Sequence, residues 1–375
     1  MIKCEDFYNL LIKNKIDFFC GVPDSLLKYP IAYLSDHAMK KKNIITANEG
    51  NAIALAAGYH LATGRIGMVY MQNSGEGNAI NPLASLTDKK VYGIPLLLLI
   101  GWRGEPGKKD EPQHVKQGEI TKSLLDILEI PYSIIPDSIE ETNHVIRKAV
   151  KYMKKQNSVY AIIVKKGIFE PYNLTNKSEI SKNLSREEAL RIVAEHLSSQ
   201  DIIVSTTGKL SRELFEHREE LKQNHNRDFL TVGSMGHCSQ IALGIAISKP
   251  TRDVYCFDGD GAVIMHMGSL AIIGSQKPEN FKHIIFNNGA HDSVGGQLTA
   301  GLQIDIPLIA KACGYNSVFE AETKEEVIKK INLLKVIKGP SLLEIKVRKG
   351  ARQNLGRPTI SPKENKKAFM DFIRK

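Results

Sequence analysis

One rhythm constrains this chain more than any other feature. Short, apolar, β-rich runs alternate with amphipathic stretches of helical length, and the pattern occurs twice. In the first half the runs are Asp17–Cys20, Asn43–Thr46, Gly67–Met71, Pro95–Ile100, Tyr132–Ile135 and Val159–Val164. Several are apolar at consecutive positions. A strand with one wet face alternates apolar and polar residues, so continuous apolarity implies burial on both faces, as in a parallel sheet covered by helices. Glu49–Ala62 and Ile139–Lys154 are helix candidates between the runs. Gly64 is a plausible stop for the first, since glycine accepts the left-handed conformation that ends many helices. A polar stretch, Lys165 to Asn183, then breaks the rhythm. Ser185-Arg186-Glu187-Glu188 reads as a capping box opening a new helix. The alternation restarts with Ile202–Ser205, Phe229–Val232, Val254–Phe257, His283–Phe286, Ser317–Phe319 and Leu342–Val347. The expectation is an α/β protein of two domains, residues 1–165 and 185–375, each a mostly parallel sheet flanked by helices, with a linker over 166–184.

Composition narrows the function class. The 375 residues are 42% hydrophobic and 25% charged, an ordinary globular balance. No apolar run reaches the ~18 residues of a membrane helix, so no membrane partner is expected. The N-terminal Met1-Ile2-Lys3-Cys4-Glu5-Asp6 carries no signal-peptide core. Five cysteines, at 4, 20, 238, 256 and 313, are an odd number, far apart and without a C-x-x-C pair. That fits reduced thiols and a cytoplasmic protein. The net charge of +10 is concentrated at one end: residues 346–375 hold ten Lys or Arg against two acids, a net of +8. A solvated terminal helix and an anion site for a small acidic substrate explain this equally well. Nucleic-acid binding is not expected, because no helix-turn-helix, zinc or RNA-binding signature accompanies the charge.

The chemistry concentrates between Asp253 and Ala290. Val254-Tyr255-Cys256-Phe257 is a buried strand that ends in Asp258-Gly259-Asp260-Gly261, followed by a helical segment and then by Ile284-Ile285-Phe286-Asn287-Asn288-Gly289. Gly259 and Gly261 would let the backbone approach a ligand, and the helix start would offer free N–H groups to phosphates. Asp260 and Asn288 are hard oxygen donors suited to Mg²⁺, which binds diphosphates through few protein ligands. A lone G-D-G describes many turns. G-D-G followed at this spacing by N-N, each after an apolar strand, is far more specific.

This arrangement resembles the signature of thiamine-diphosphate-dependent enzymes. The resemblance implies that Asp260, the Asn288 side chain and the Ala290 carbonyl hold Mg²⁺, with Gly259, Gly261 and Ala262 beside the cofactor's diphosphate. It also implies a glutamate in a segment like Glu49-Gly50-Asn51-Ala52 leading to Gly58 and Gly64. Glu49 would hydrogen-bond the aminopyrimidine ring and promote proton removal from the thiazolium carbon. Asn73-Ser74-Gly75-Glu76-Gly77-Asn78 resembles the glycine turn that follows in the same domain. Val232-Gly233-Ser234-Met235-Gly236 resembles the segment under the cofactor, Met235 holding its two rings bent and Gly233 presenting a carbonyl. Within that superfamily the whole chain resembles the phosphonopyruvate decarboxylases, with the sulfopyruvate decarboxylases close kin. The residues are Gly21-Val22-Pro23-Asp24-Ser25, Gly101-Trp102-Arg103-Gly104-Glu105-Pro106, Asp110-Glu111-Pro112-Gln113-His114, Gly289 to Gln297, and Leu355-Gly356-Arg357-Pro358-Thr359. Leu298 stands where that pattern has proline.

The implied reaction is decarboxylation of 3-phosphonopyruvate to phosphonoacetaldehyde and CO₂, in phosphonate biosynthesis. A substrate of about three negative charges needs cations and N–H donors. Ser25, Arg103, His114 and Arg357 are the preferred substrate residues, Arg because its fork matches a phosphonate. Lys108, Lys109, Lys116 and Arg352 are further cations in the same segments. The product carbon must be protonated after CO₂ leaves, and His291, Asp292 and His114 are candidate donors or relays. The resemblance places the cofactor between the first domain of one subunit and the second of its partner, so self-association as a homodimer is expected. The alternatives are the same chemistry on a sulfonate and, more remotely, a non-catalytic nucleotide- or nucleic-acid-binding α/β protein.

Overall fold

The computed structural model describes residues 1–175 and 184–375. The chain divides into two compact units, Met1–Ser178 and Glu179–Lys375. In the first unit the strands are β1 (Phe19–Gly21), β2 (Asn43–Ile45), β3 (Met68–Gln72), β4 (Leu97–Gly101), β5 (Tyr132–Ile134) and β6 (Tyr160–Val164). They form one parallel sheet in the order β2-β1-β3-β4-β6-β5. In the second unit β7 (Ile202–Ser205), β8 (Asp228–Leu230), β9 (Val254–Gly259), β10 (Phe281–Asn287), β11 (Ser317–Ala321) and β12 (Ser341–Lys346) form a second parallel sheet, β11-β12-β10-β9-β7-β8. Numbered from its own first strand and read from the other edge, the second order is identical to the first.

Two cores per unit explain the unbroken apolar runs. Met68 and Tyr70 of β3, Leu97 and Leu99 of β4, and Tyr160, Ile162 and Val164 of β6 enter one core. Val69, Met71, Leu98, Ile100, Ala161 and Ile163 alternate with them and enter the other. Side chains along a strand point to opposite faces, and here both faces are covered by helices. The second unit repeats the device. Tyr255 and Phe257 of β9 face one core and Val254 and Cys256 the opposite one.

Local punctuation follows the sequence. The helix Glu49–Thr63 ends at Gly64 with φ 68°, and Ser185 and Glu188 form a reciprocal capping box at Arg186–His196. Of the stretch expected as a linker, residues 166–175 belong to the first unit: Phe169 is buried there and bridges Ile2. Residues 176–183 lie outside the described residues. The basic C-terminal stretch is partly docked. Asn365, on the helix Pro362–Ile373, donates through Nδ2 to the Asp228 carbonyl at 2.8 Å and accepts through Oδ1 from Leu230 N at 3.1 Å. None of the described helices is long and apolar enough to cross a membrane.

Candidate active site

In each sheet the chain leaves the first strand in one direction and returns on its other side, a change of direction at whose carboxyl ends open parallel sheets bind ligands. In the first unit that point lies between β1 and β3. Glu49, the first residue of the helix Glu49–Thr63, is 5% exposed, and its Oε2 accepts from Asn78 Nδ2 at 2.7 Å. Burial pushes its carboxyl pKa up, and the Asn78 bond offsets this in part. The Asn73–Asn78 turn closes directly on it: a Cβ at Gly75 would overlap Glu49 Oε1.

Ser25, Arg103 and His114, expected separately as substrate residues, are gathered by Asp110. Arg103 donates through Nε to Asp110 Oδ2 at 2.8 Å, through Nη2 to Oδ1, and through Nη1 to Ser25 Oγ at 2.7 Å. His114 Nδ1 lies 2.9 Å from Asp110 Oδ1. Gly104 N and Glu111 N also donate to that carboxylate, at 2.8 and 2.7 Å. Against the upward push of burial, these donors hold the Asp110 carboxyl well below the usual carboxylate range. Lys108, Lys109 and Lys116 of the same region are exposed, and Lys116 pairs with Glu119.

In the second unit the equivalent point lies between β7 and β9. Thr207, beyond β7, accepts through Oγ1 from Gly233 N at 3.0 Å. Gly233, Ser234 and Gly236 adopt φ of 71°, 47° and 84° around the half-buried Met235, so the turn presenting Met235 is left-handed and depends on its glycines. Asp260 opens the helix Asp260–Met265 directly after β9 and is 2% exposed. Thr299 Oγ1 donates to its Oδ2. Burial pushes the Asp260 carboxyl up to about 6. Among the described residues no cationic side chain pairs with it. Gly259 has open space where a Cβ would be, while Ala262 is buried one turn below.

Asn288, just past β10, is buried; its Nδ2 donates to Asp292 Oδ2 at 2.7 Å and its Oδ1 accepts from Ala290 N at 3.1 Å. The following segment folds back as a small hairpin. Ala290 pairs with Leu298, His291 N donates to the Gln297 carbonyl at 2.8 Å, and Thr299 N donates to the Gly289 carbonyl at 2.9 Å. Neither bond uses the Leu298 N–H, so the departure from proline leaves the hairpin intact. This return brings Thr299 to Asp260. His291 lies over Gly261, where a Cβ would meet its Cε1 at 3.0 Å. Burial pushes the imidazole down to about 4, so the ring is neutral at pH 7. Asp260, Asn288 and the Ala290 carbonyl thus supply three hard oxygens, and the buried carboxylate lacks a cation. That donor set fits Mg²⁺.

Arg357 is exposed on a strap clamped at its neighbour: Arg212 Nε donates to the Gly356 carbonyl, and Gly356 N donates to Glu216. Arg352 is committed to Glu187, at 3.0 Å, and to Glu216, and Lys346 to Glu320, so part of the basic tail is structural. Sequence reading missed Asp110, Thr299 and Arg186 as site residues. The i,i+4 spacing of Asp110 and His114 was a usable signal. Thr299 and Arg186 carry none, because their partners are 39 and 106 residues away.

Comparison with known proteins shows the family. Residues 4–127 match the thiamine pyrophosphate enzyme N-terminal TPP binding domain, and residues 206–345 the C-terminal TPP binding domain. A phosphonopyruvate decarboxylase of Streptomyces viridochromogenes is 35% identical over 389 residues, covering 100% of this chain and 95% of that protein. A sulfopyruvate decarboxylase of Methanosarcina acetivorans is 28% identical, covering 98% and 97%. The sulfopyruvate decarboxylase subunit beta of Methanococcus maripaludis is 35% identical over 51% of this chain and 99% of its own length. With domain models matching both units and relatives matching along the full length, the chain belongs to the phosphonopyruvate decarboxylase family of thiamine-diphosphate-dependent enzymes.

Proposed function

We propose that this protein is a phosphonopyruvate decarboxylase that converts 3-phosphonopyruvate to phosphonoacetaldehyde and CO₂ with thiamine diphosphate and Mg²⁺. The observation that carries the reading is Asp260, a buried carboxylate without a cation beside Asn288, in a chain similar to phosphonopyruvate decarboxylases along its full length. When bound, thiamine diphosphate supplies a nucleophilic carbon and accepts the electron pair released as CO₂ departs. The residues do the rest. Asp260, Asn288 and the Ala290 carbonyl hold Mg²⁺ against the diphosphate. Glu49, dehydrated and steadied by Asn78, is a carboxyl poised to share a proton with the aminopyrimidine nitrogen. Gly233, Ser234 and Met235 would support the cofactor.

The phosphonate falls to Ser25, Arg103 and His114, with Arg357 of the strap as a further cation. Asp110 takes the Arg103 fork through Nε and Nη2 and fixes the guanidinium, so the phosphonate would meet the N–H groups left on Nη1 and Nη2. His291 and His114 are the N–H groups proposed to pass the final proton. His291, neutral at pH 7, does so as a relay, taking a proton on one nitrogen as it gives one from the other. Self-association is part of the proposal: Glu49 and Asp260 sit on different units, and sulfopyruvate decarboxylase relatives occur as separate alpha and beta subunits. Five free cysteines suit a cytoplasmic protein. The sulfopyruvate decarboxylase of similar length supports one rival substrate, the sulfonate analogue.

CO₂ release from phosphonopyruvate, with and without thiamine diphosphate and Mg²⁺, tests the reading. Release that needs both is expected. Release from sulfopyruvate with greater kcat/KM would transfer the assignment to the rival, and no release from either would refute both.

A further inference from the structure

Asp292 was expected to donate or relay a proton, but its surroundings give it another task. Its Oδ2 accepts from Asn288 Nδ2 at 2.7 Å, from Gly350 N at 3.0 Å and from Arg186 Nη1 at 3.2 Å. One carboxylate oxygen thus holds three donors, one of them a guanidinium, and is committed to bonds that tie separate segments together. Arg186 is itself fixed. It is 7% exposed and grips Glu213 through two parallel bonds, Nε to Oε2 at 2.8 Å and Nη2 to Oε1 at 2.7 Å. Glu213 is 1% exposed. A stiff chain of contacts therefore runs from Glu213 through Arg186 and Asp292 to Asn288.

The end of that chain is an amide with two unlike faces. Because Asn288 Nδ2 is committed to Asp292 and Oδ1 accepts from Ala290 N, the oxygen is the amide atom left to face a cation. Rotating the amide by half a turn would set its oxygen against the Asp292 carboxylate and its NH₂ against both the Ala290 N–H and any metal. Every contact would then be repulsive. We propose that Asp292, backed by Arg186, is a positioning residue for the metal: it locks the Asn288 amide with its oxygen toward the cation. This rests on the thiamine diphosphate and Mg²⁺ reading above, and it removes Asp292 from the proton-transfer step. Gly350 N shares the same carboxylate oxygen, so the start of the strap that carries Arg352 and Arg357 is fastened to the metal loop by the same residue.

The test uses the full-length protein with saturating thiamine diphosphate and Mn²⁺ as the metal probe, free Mn²⁺ being counted by electron paramagnetic resonance. Loss of a group that orients a metal ligand typically weakens binding ten- to a hundredfold. Asp292→Ala should weaken Mn²⁺ by about that factor, and Arg186→Lys, which keeps charge but loses the fork, by several fold. Limited trypsin digestion should cut the strap sooner in Asp292→Ala. The deficit in CO₂ release should shrink as Mg²⁺ is raised, and the pH profile of kcat should keep its wild-type limbs. Should Asp292→Ala not fold, Asp292→Asn carries the test: it keeps the shape, loses the charge and should also weaken Mn²⁺. Unaltered Mn²⁺ affinity in these variants, or a kcat that stays low at saturating Mg²⁺ with one pH limb missing, overturns the proposal and returns Asp292 to proton transfer. Absence of Mn²⁺ binding by the wild-type protein would overturn the cofactor reading and this inference together.

Discussion

Glu76 should make this protein lose stability as pH rises through the neutral range. It opens the helix Glu76–Pro82, is 4% exposed, and neither of its carboxylate oxygens has a hydrogen-bond partner. Burial pushes its pKa from 4.5 up to about 8. Thr121 opposes this only weakly, because its hydroxyl proton goes to the Gln117 carbonyl at 2.7 Å and its oxygen already accepts from Asn73 at 2.9 Å. The folded protein therefore keeps a proton that the unfolded chain releases above about pH 4.5. A raised folded-state pKa stabilises fully below the unfolded value and is lost as pH climbs through the folded one. Each pH unit inside that window removes about 1.4 kcal/mol, so the whole window is worth at most ~5 kcal/mol and the span from pH 5.5 to 7.5 roughly 2–3 kcal/mol. Glu76→Gln removes the titration at nearly constant volume. Urea unfolding at the two pH values, followed through Trp102, the only tryptophan and 5% exposed in a core of the first unit, reads the difference. The stability gap between Glu76→Gln and wild type should widen by that amount at pH 7.5. Parallel stability curves for the two proteins would refute the reasoning. Glu76→Leu should be more stable than wild type even at pH 5.5, since it buries no unpaired polar atom.

Three further outcomes follow from the site. Glu49→Gln should fold and bind thiamine diphosphate yet slow exchange of the thiazolium C2 proton by orders of magnitude; exchange at the wild-type rate, followed by NMR, would leave Glu49 only a structural role. Asp260→Ala removes the anionic metal donor, so thiamine diphosphate affinity at limiting Mg²⁺, measured by calorimetry, should fall strongly and recover only partly with excess metal. Arg103→Ala and Arg357→Ala should each lower kcat/KM for phosphonopyruvate at least tenfold, about 1.4 kcal/mol, with a much smaller loss for pyruvate. Equal losses on both substrates would mean that these arginines support the fold or the cofactor. Arg103→Lys should rescue only in part, because a point charge cannot reproduce the double contact to Asp110.

The parts of the site legible in sequence are those whose chemistry sits in consecutive residues. Asp258 to Gly261 and Asn287 to Ala290 could be read because the proposed metal and diphosphate site would need glycine and hard oxygen donors side by side. Glu49 could be read because its neighbours form a spaced pattern of small residues on one helix, and Gly75 shows why: the turn that follows must close on the carboxylate. Arg103 and His114 were legible as individual residues but not as a pair. The aspartate that joins them, Asp110, sits in a loop whose charges all look solvated in sequence. The basic tail misled in the opposite direction, since Arg352 and Lys346 turn out to be paired with acids of the second unit.

The amino-acid sequence by itself determined the twelve strands and the two parallel sheets, because these depend on the alternation of apolar runs and on local turn chemistry, and its motifs carried the resemblance to the family. Only the tertiary structure shows the surroundings of Glu76, Asp292 and Arg186. Glu76 stands in a polar turn, Asn73 to Asn78, that gives no sign of burial, yet the packed turn leaves its carboxyl dry and unpartnered. Asp292 follows a histidine and looks like an acid for catalysis, yet besides Asn288, four residues away, it accepts from Gly350 and Arg186, 58 and 106 residues away, the contacts on which its proposed positioning role rests. Arg186 is the second residue of a capping box, a position that only requires helix, yet it is buried against Glu213 and reaches Asp292. The physical reason is common to all three. Glu76 answers to burial and the other two to partners, and neither burial nor a partner from a distant segment is written in a residue's immediate neighbours.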